Sequence, residues 1–206
     1  MFNKWNLKIH EFTGESSTNL AIKGVFFTPK ESVATNSFLL LRVENPKFNI
    51  KDFPQTNNYP KPKENFNSFT LNKEAVKKIL KNLPKTTALL PITENAVVVN
   101  QDKESVEILT TNIENAVVVK GKKIEEEYPN YKEILPEKTK YKTISVNANY
   151  LKKIVDYLKL FTDSKINEIR IKFPLETKGK DGIRFEAERK DTKQKAEAIL
   201  MPITID

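Results

Sequence analysis

Two stretches of the chain carry apolar residues at helical spacing. In KEAVKKILKNLP, Val76, Ile79, Leu80 and Leu83 share a face, Asn72 stands where an N-cap belongs, and Pro84 stops the element. In ANYLKKIVDYLKL, Leu151, Ile154, Val155 and Leu158 do the same. Elsewhere, short apolar or alternating runs bounded by turn residues predict strands. Within residues 5–45 these are WNLKIHEF, LAIKGVFFT and SVATNSFLLLRVE, with turn signals at Gly14–Asn19 and Thr28–Ser32, and no helix is needed there. Asn45–Asn67, with Pro46, Pro54, Pro60 and Pro62, reads as an extended connection. Strands are then expected at FTLN, TALLPIT, NAVVVNQ, SVEILTT and NAVVVKG, and later at YKTISVN, NEIRIKF, GIRFEAER and AEAILMPITI, with a turn at Gly179–Gly182.

The two helical stretches belong to a repeat. At an offset of 75, FTLNKEAVKKILKNL and ISVNANYLKKIVDYL share Asn72/Asn147, Lys77/Lys152, Lys78/Lys153, Ile79/Ile154 and Leu83/Leu158. A strand, one amphipathic helix and several antiparallel strands, repeated, is an α+β plan in which each helix lays its apolar stripe on a sheet. The hexapeptide ENAVVV also occurs twice, at Glu94–Val99 and Glu114–Val119, either as a functional repeat or as hairpin composition used twice.

Composition narrows the chemistry. The 206 residues contain no cysteine, which excludes disulfides, thiolate zinc sites and cysteine nucleophiles. The single histidine, His10, sits in an expected strand without convergent partners. There is no Gly-rich phosphate loop, and the run Glu125, Glu126, Glu127 cannot converge on one centre, so neither an enzyme nor a metal or cofactor site is expected. With 35 Lys+Arg against 27 Asp+Glu the net charge is +8, which favours polyanionic partners. No apolar run approaches the roughly 20 residues of a membrane span. MFNKWNLKIHEF lacks a signal peptide's order, so a cytoplasmic protein with no membrane partner is expected.

Two segments carry a family resemblance. In IEEEYPNYKEILP, Tyr128, Pro129, Asn130, Tyr131, Ile134, Leu135 and Pro136 match an aromatic-Pro-polar-Tyr segment closed by aliphatic-aliphatic-Pro; in AILMPITID, Met201, Pro202 and Ile203 match a terminal Met-Pro-aliphatic strand. Together they resemble the bacterial replicative sliding clamp, the beta subunit that holds a polymerase on DNA. The resemblance covers its second domain and a final half-domain. It implies a clamp-like domain at 1–136, built from a module at 1–66 without a clear helix and a module at 67–136, then a half-domain at 137–206. Such modules pack in pseudo-symmetric pairs, helices lining a ring and sheets outside.

The resemblance also implies two surfaces. A peptide-binding groove would draw Val33, Thr35, Ser37 and Leu39 from a strand-turn, Pro129, Tyr131 and Ile134 from the interdomain segment, and Ile199, Met201, Pro202 and Ile203 from the tail. Lys73, Lys77 and Lys81, with Lys78 beside them, and Lys152 and Lys153 on the second helix lie off the apolar stripes, where ammonium groups meet phosphates without reading sequence. The implied partners are duplex DNA, a DNA polymerase or other protein carrying a clamp-binding linear motif, a clamp loader and further copies of the chain. The chain departs from the pattern in its length, its basic balance, and Ser37, Phe38 and Glu133 where basic residues are usual. Two functions follow: a non-enzymatic, homo-oligomeric processivity factor, or a clamp-derived adaptor in replication, repair or transcription that does not encircle DNA. A basic OB or RNA-recognition module would want exposed aromatics among its basic strand residues, and NEIRIKF offers few.

Overall fold

Along the chain, β1 (Phe2–Asn3) runs into α1 (Lys4–Lys8), then come β2 (Gly24–Phe27), β3 (Glu31–Thr35), β4 (Leu40–Glu44), β5 (Phe69–Asn72), α2 (Lys73–Asn82), β6 (Asn95–Gln101), β7 (Ser105–Thr111) and β8 (Ala116–Lys122). After them lie α3 (Ala148–Leu158), β9 (Arg170–Lys172), β10 (Ile183–Glu188) and β11 (Lys195–Leu200). The computed structural model describes residues 1–15, 19–55, 59–84, 90–135, 143–162, 166–174 and 181–203. By its contacts the chain divides into two units, Met1–Leu135 and Pro136–Asp206.

Unit 1 is made of two halves that exchange their leading strands. Its sheets have the orders β4-β3-β2-β5 and β1-β6-β7-β8, with every pairing antiparallel. The strand that opens each half thus pairs with the first strand after the helix of the other half. Gly24 faces Asn72 and Phe27 faces Phe69 in one exchange; Asn3 faces Asn95 in the other. A Cβ on Gly24 would lie 2.5 Å from the Leu71 carbonyl oxygen, so this junction accepts only glycine without moving backbone. Where the exchange meets, Phe2, Phe27 and Phe69 pack ring to ring, with centroids 4.7 Å apart for Phe2 and Phe27 and 5.3 Å for Phe27 and Phe69. The helices α1 and α2 lie against each other, and the core between helices and sheets takes Leu7, Ile9, Val25, Leu71, Val76, Ile79, Val98 and Ile108.

Both sheets are also covered on their outer faces. Phe53, in the proline-rich connection, packs on Val97, Val99 and Leu109, so β6 is buried on two sides and its apolar run needs no alternation. The first sheet is covered by Tyr128 and Tyr131, Phe26 stacking on Tyr128 at 4.8 Å. The two ENAVVV copies flank β7 with unequal burial, β6 almost wholly buried and β8 half-exposed.

Unit 2 is one such half: α3 on the sheet β11-β10-β9, with Leu158, Ile183, Phe185, Ala187 and Leu200 as its core.

The expected strand WNLKIHEF is instead helical, as α1 followed by a 3-10 turn at Ile9–Phe12, so the first module does have a helix and the described residues form three α-helices rather than two. Asn3 and Asn6 form a reciprocal cap, the Asn3 amide donating to Asn6 Oδ1 at 3.1 Å and the Asn6 amide to Asn3 Oδ1 at 3.2 Å. The inward face carries Asn6, Leu7, Ile9 and His10, and its two polar members hide the helical period. Asn6 Nδ2 donates to the Val43 carbonyl at 3.1 Å, and the His10 ring Nδ1 to the Leu7 carbonyl at 2.8 Å, so both are satisfied inside. His10 is therefore a buried helical residue, not a strand residue.

Among the described residues, two further expected strands do not form. In TALLPIT, Pro91–Glu94 forms a 3-10 turn begun by the proline, while Thr87–Leu89 lie outside the described residues. In YKTISVN, Thr143–Asn147 forms no strand, and Tyr141 and Lys142 lie outside the described residues. SVATNSFLLLRVE is two strands joined by a turn, and the tail leaves the sheet after Leu200. The linker 136–140, residues 16–18 and 179–180 of the expected turns, and residues 204–206 also lie outside the described residues.

Candidate functional site

The segment after β8 returns across the first sheet and is pinned there. Tyr131 donates its hydroxyl to Glu31, and Arg42 Nε donates to the other Glu31 oxygen at 2.9 Å. Burial alone would raise the Glu31 carboxyl, but the hydrogen bonds from Tyr131 and Arg42 outweigh it and hold the group below its ordinary range. Burial and the bond to Glu31 push the Tyr131 phenol up to about 12. The Tyr128 hydroxyl donates to the Val33 carbonyl at 3.5 Å, and burial raises its pKa. Two of the three expected groove segments thus meet within unit 1.

The β3–β4 turn beside them is closed by its own hydrogen bonds and apolar at its tip. Asn36 Oδ1 accepts from the Phe38 and Leu39 amides at 3.0 Å each, and Thr35 Oγ1 donates to the Leu39 carbonyl at 2.7 Å. Ser37 takes φ 76°, a left-handed turn position that favours glycine. Phe38 is thereby held 96% exposed beside the exposed Leu39. Val33 and Tyr131 are buried, Thr35 is half-buried, and Ser37, Pro129 and Ile134 are exposed, so Val33 and Tyr131 form the floor of any groove and not its contact surface.

The third segment belongs to unit 2. Ile199, Met201 and Ile203 are exposed there and Pro202 is half-buried. A Cβ on Gly182 would lie 2.2 Å from Ile199 Cγ2 and 3.2 Å from Met201 Sδ, so the missing side chain at Gly182 makes room for both.

The lysines divide by partner. Lys77, Lys78 and Lys81 are exposed on α2 and Lys152 and Lys153 on α3, while Lys73 is half-buried. Lys73 Nζ lies 3.1 Å from Glu15, Lys77 Nζ lies 2.9 Å from Glu74, and Lys152 pairs with Asp156. Exposed pairs of this kind are worth roughly 0–1 kcal/mol, so a phosphate can displace the carboxylate. Sequence reasoning missed α1, whose exposed Trp5 carries Lys4 Nζ 4.8 Å and Lys8 Nζ 5.6 Å from its ring centre. Asn3 and Asn6, spaced as a cap, were the available signal. Among the described residues, no group of three or more His, Cys, Asp or Glu could hold a metal ion, and no helix is long and apolar enough to cross a membrane.

No protein-family model matches the sequence, and no curated protein matches it. Solved structures do match its fold. The DNA polymerase sliding clamp of Pseudomonas aeruginosa superposes with a TM-score of 0.67 at 12% identity, covering 98% of this chain and 50% of that one. The sliding clamp of Bacillus subtilis gives 0.65 at 13% identity, covering 97% and 46%. The DNA polymerase III subunit beta of Borrelia burgdorferi, in complex with a natural product, gives 0.67 at 15% identity, covering 96% and 44%. The fold is that of the sliding clamps, and the chain spans about half the length of the structures it matches.

Proposed function

We propose that the chain is a non-enzymatic, clamp-like processivity factor that associates with duplex DNA through helix lysines and recruits proteins through an apolar groove. The observation that carries this reading is the likeness to DNA polymerase sliding clamps over 98% of the chain. A net charge of +8 and the exposed Lys77, Lys78, Lys81, Lys152 and Lys153 support the DNA side, because such a row binds phosphates whatever the bases. The exposed Phe38 tip, Leu39 and Ile134 support the partner side, as apolar contacts for the hydrophobic linear motif of a polymerase or another client, and in unit 2 Met201 and Ile203 are exposed apolar residues of the same kind. In this reading the working form is a homo-oligomer and a clamp loader is a further partner.

A second reading is an adaptor that keeps the groove without encircling DNA. The carboxylates beside Lys73, Lys77 and Lys152 favour it, since they halve the charge offered to a phosphate backbone. Retention on DNA circles and on the same DNA cut open separates the two. A processivity factor is held on circles and runs off free ends; equal loss from both supports the adaptor.

A further inference from the structure

Each sheet of unit 1 has a fourth place, filled by a strand from the opposite half: β5 beside β2 and β1 beside β6. Unit 2 repeats the half with its three consecutive strands β9, β10 and β11, and among the described residues nothing stands in the fourth place beside β9. Its own leading segment is ready to serve as such a strand. In unit 1 the Ile124 amide donates to the Thr70 carbonyl at 2.9 Å; in unit 2 the Ile203 amide donates to the Ser145 carbonyl at 2.8 Å, and Thr70 and Ser145 correspond at the offset of 75. Asn72 and Asn147 cap their helices at the same point. The leading segment therefore sits against its own half as β5 does, and among the described residues no strand pairs with the edge that β5 gives to β2.

Exposure follows the same pattern. Ile171 lies opposite the core residue Phe185 and so points to the core side, yet it is 50% exposed, and Phe173, next on that side, is 58% exposed. Their counterparts Val25 and Phe27 are both 0% exposed beneath the exchanged strand. On the helices, Ala75 is 8% exposed and its counterpart Tyr150 is 58%. An uncovered apolar strand edge is a template for pairing.

We propose that unit 2 is completed by unit 2 of a second copy of this chain, Thr143–Asn147 of each lying antiparallel to β9 of the other. The arrangement is two-fold and self-complementary, because one half supplies both the donor segment and the acceptor edge, as an isologous contact requires. The registers of unit 1 set the pairing: Asn147 opposite Arg170, Val146 opposite Ile171, and Ile144 opposite Phe173 as Phe69 is opposite Phe27. This names the surface of the homo-oligomer proposed above and rests on that part of the reading.

The chain has no cysteine, so cysteines can be placed singly. Chains carrying Val146→Cys and Ile171→Cys, made separately, mixed and oxidised, are expected to join as disulfide-linked pairs, and Val146→Cys with Lys172→Cys far less, since one step of register turns the side chain away. Phe173→Asp is expected to weaken self-association at least tenfold in sedimentation. Its exposed site spares the fold, which amide exchange across β10 and β11 checks. A chain that is monomeric at all concentrations overturns the proposal, as does a dimer that ignores Phe173→Asp and gives no register-specific cross-link. DNA retention is read separately, so a cross-linked dimer that ignores DNA counts against the proposed function and not against this pairing.

Discussion

Glu31 shows how one charge fixes the segment that floors the candidate groove. A buried carboxylate is stable only with donors, and Tyr131 and Arg42 supply them from the returning segment and from β4. The sign of the pH dependence follows from the lowered carboxyl: its stabilisation is present above the unfolded value near 4.5 and is lost as pH falls through the lower folded value. Tyr131 acts at the other end. Its phenol is raised to about 12 in the folded chain, so its contribution is complete below the ordinary value of 10 and is lost as pH rises between the two. Tyr131→Phe should cost about 1–2 kcal/mol near neutrality. The variant should also lose less stability as pH falls below 4.5, because Glu31 loses a donor that lowers it, and should lose the part of the alkaline transition that Tyr131 carries. Thermal melts from pH 3 to 12 check this, and parallel curves for variant and parent would show that the bond carries no such weight.

At the scale of elements, what could be read depended on whether an element's own residues decide its form. The helices α2 and α3 were legible because each apolar stripe lies within its own stretch, and Asn72 and Pro84 bound the first of them. NAVVVNQ and SVEILTT fall on β6 and β7 residue for residue because their turns flank them closely. α1 was not legible, since Asn6 and His10 stand where apolar residues would mark the period and find their partners only in the folded chain. Strand exchange was hidden for a related reason: Phe2 and Phe69 carry no local sign that each serves the other half's sheet. In the candidate site, the tyrosine segment was legible as a pattern, whereas its clamp on Glu31 was not, because the two lie far apart in sequence. Asn3 is both the cap of α1 and the last residue of β1, opposite Asn95. Asn3→Ala should therefore cost about 1 kcal/mol, and amide exchange should quicken in α1 and along the β1 edge of β6 while unit 2 stays protected. Unchanged protection at Phe2–Lys8 would mean that the core holds α1 without its cap.

For the whole molecule, the open question is how much of the charge reaches a polyanion. A net +8 spread over a surface gives attraction but no grip; a helix row gives phosphate contacts that can be counted. The neighbouring carboxylates complicate the count, since Lys77 and Lys152 each give up a partner when they turn to a phosphate. That exchange is cheap at exposed sites, so both lysines should still register in salt dependence. Each phosphate contact removed should lower the slope of log K against log salt by roughly 0.9. Lys77→Glu combined with Lys152→Glu should then loosen association about equally for all DNA sequences and flatten that slope, while binding of a hydrophobic linear-motif peptide is unchanged. Titration at four salt concentrations with two unrelated duplexes measures both. If affinity and slope stay at the parent values, the helices do not touch DNA, and the chain is the adaptor, a clamp fold that holds clients without holding the duplex.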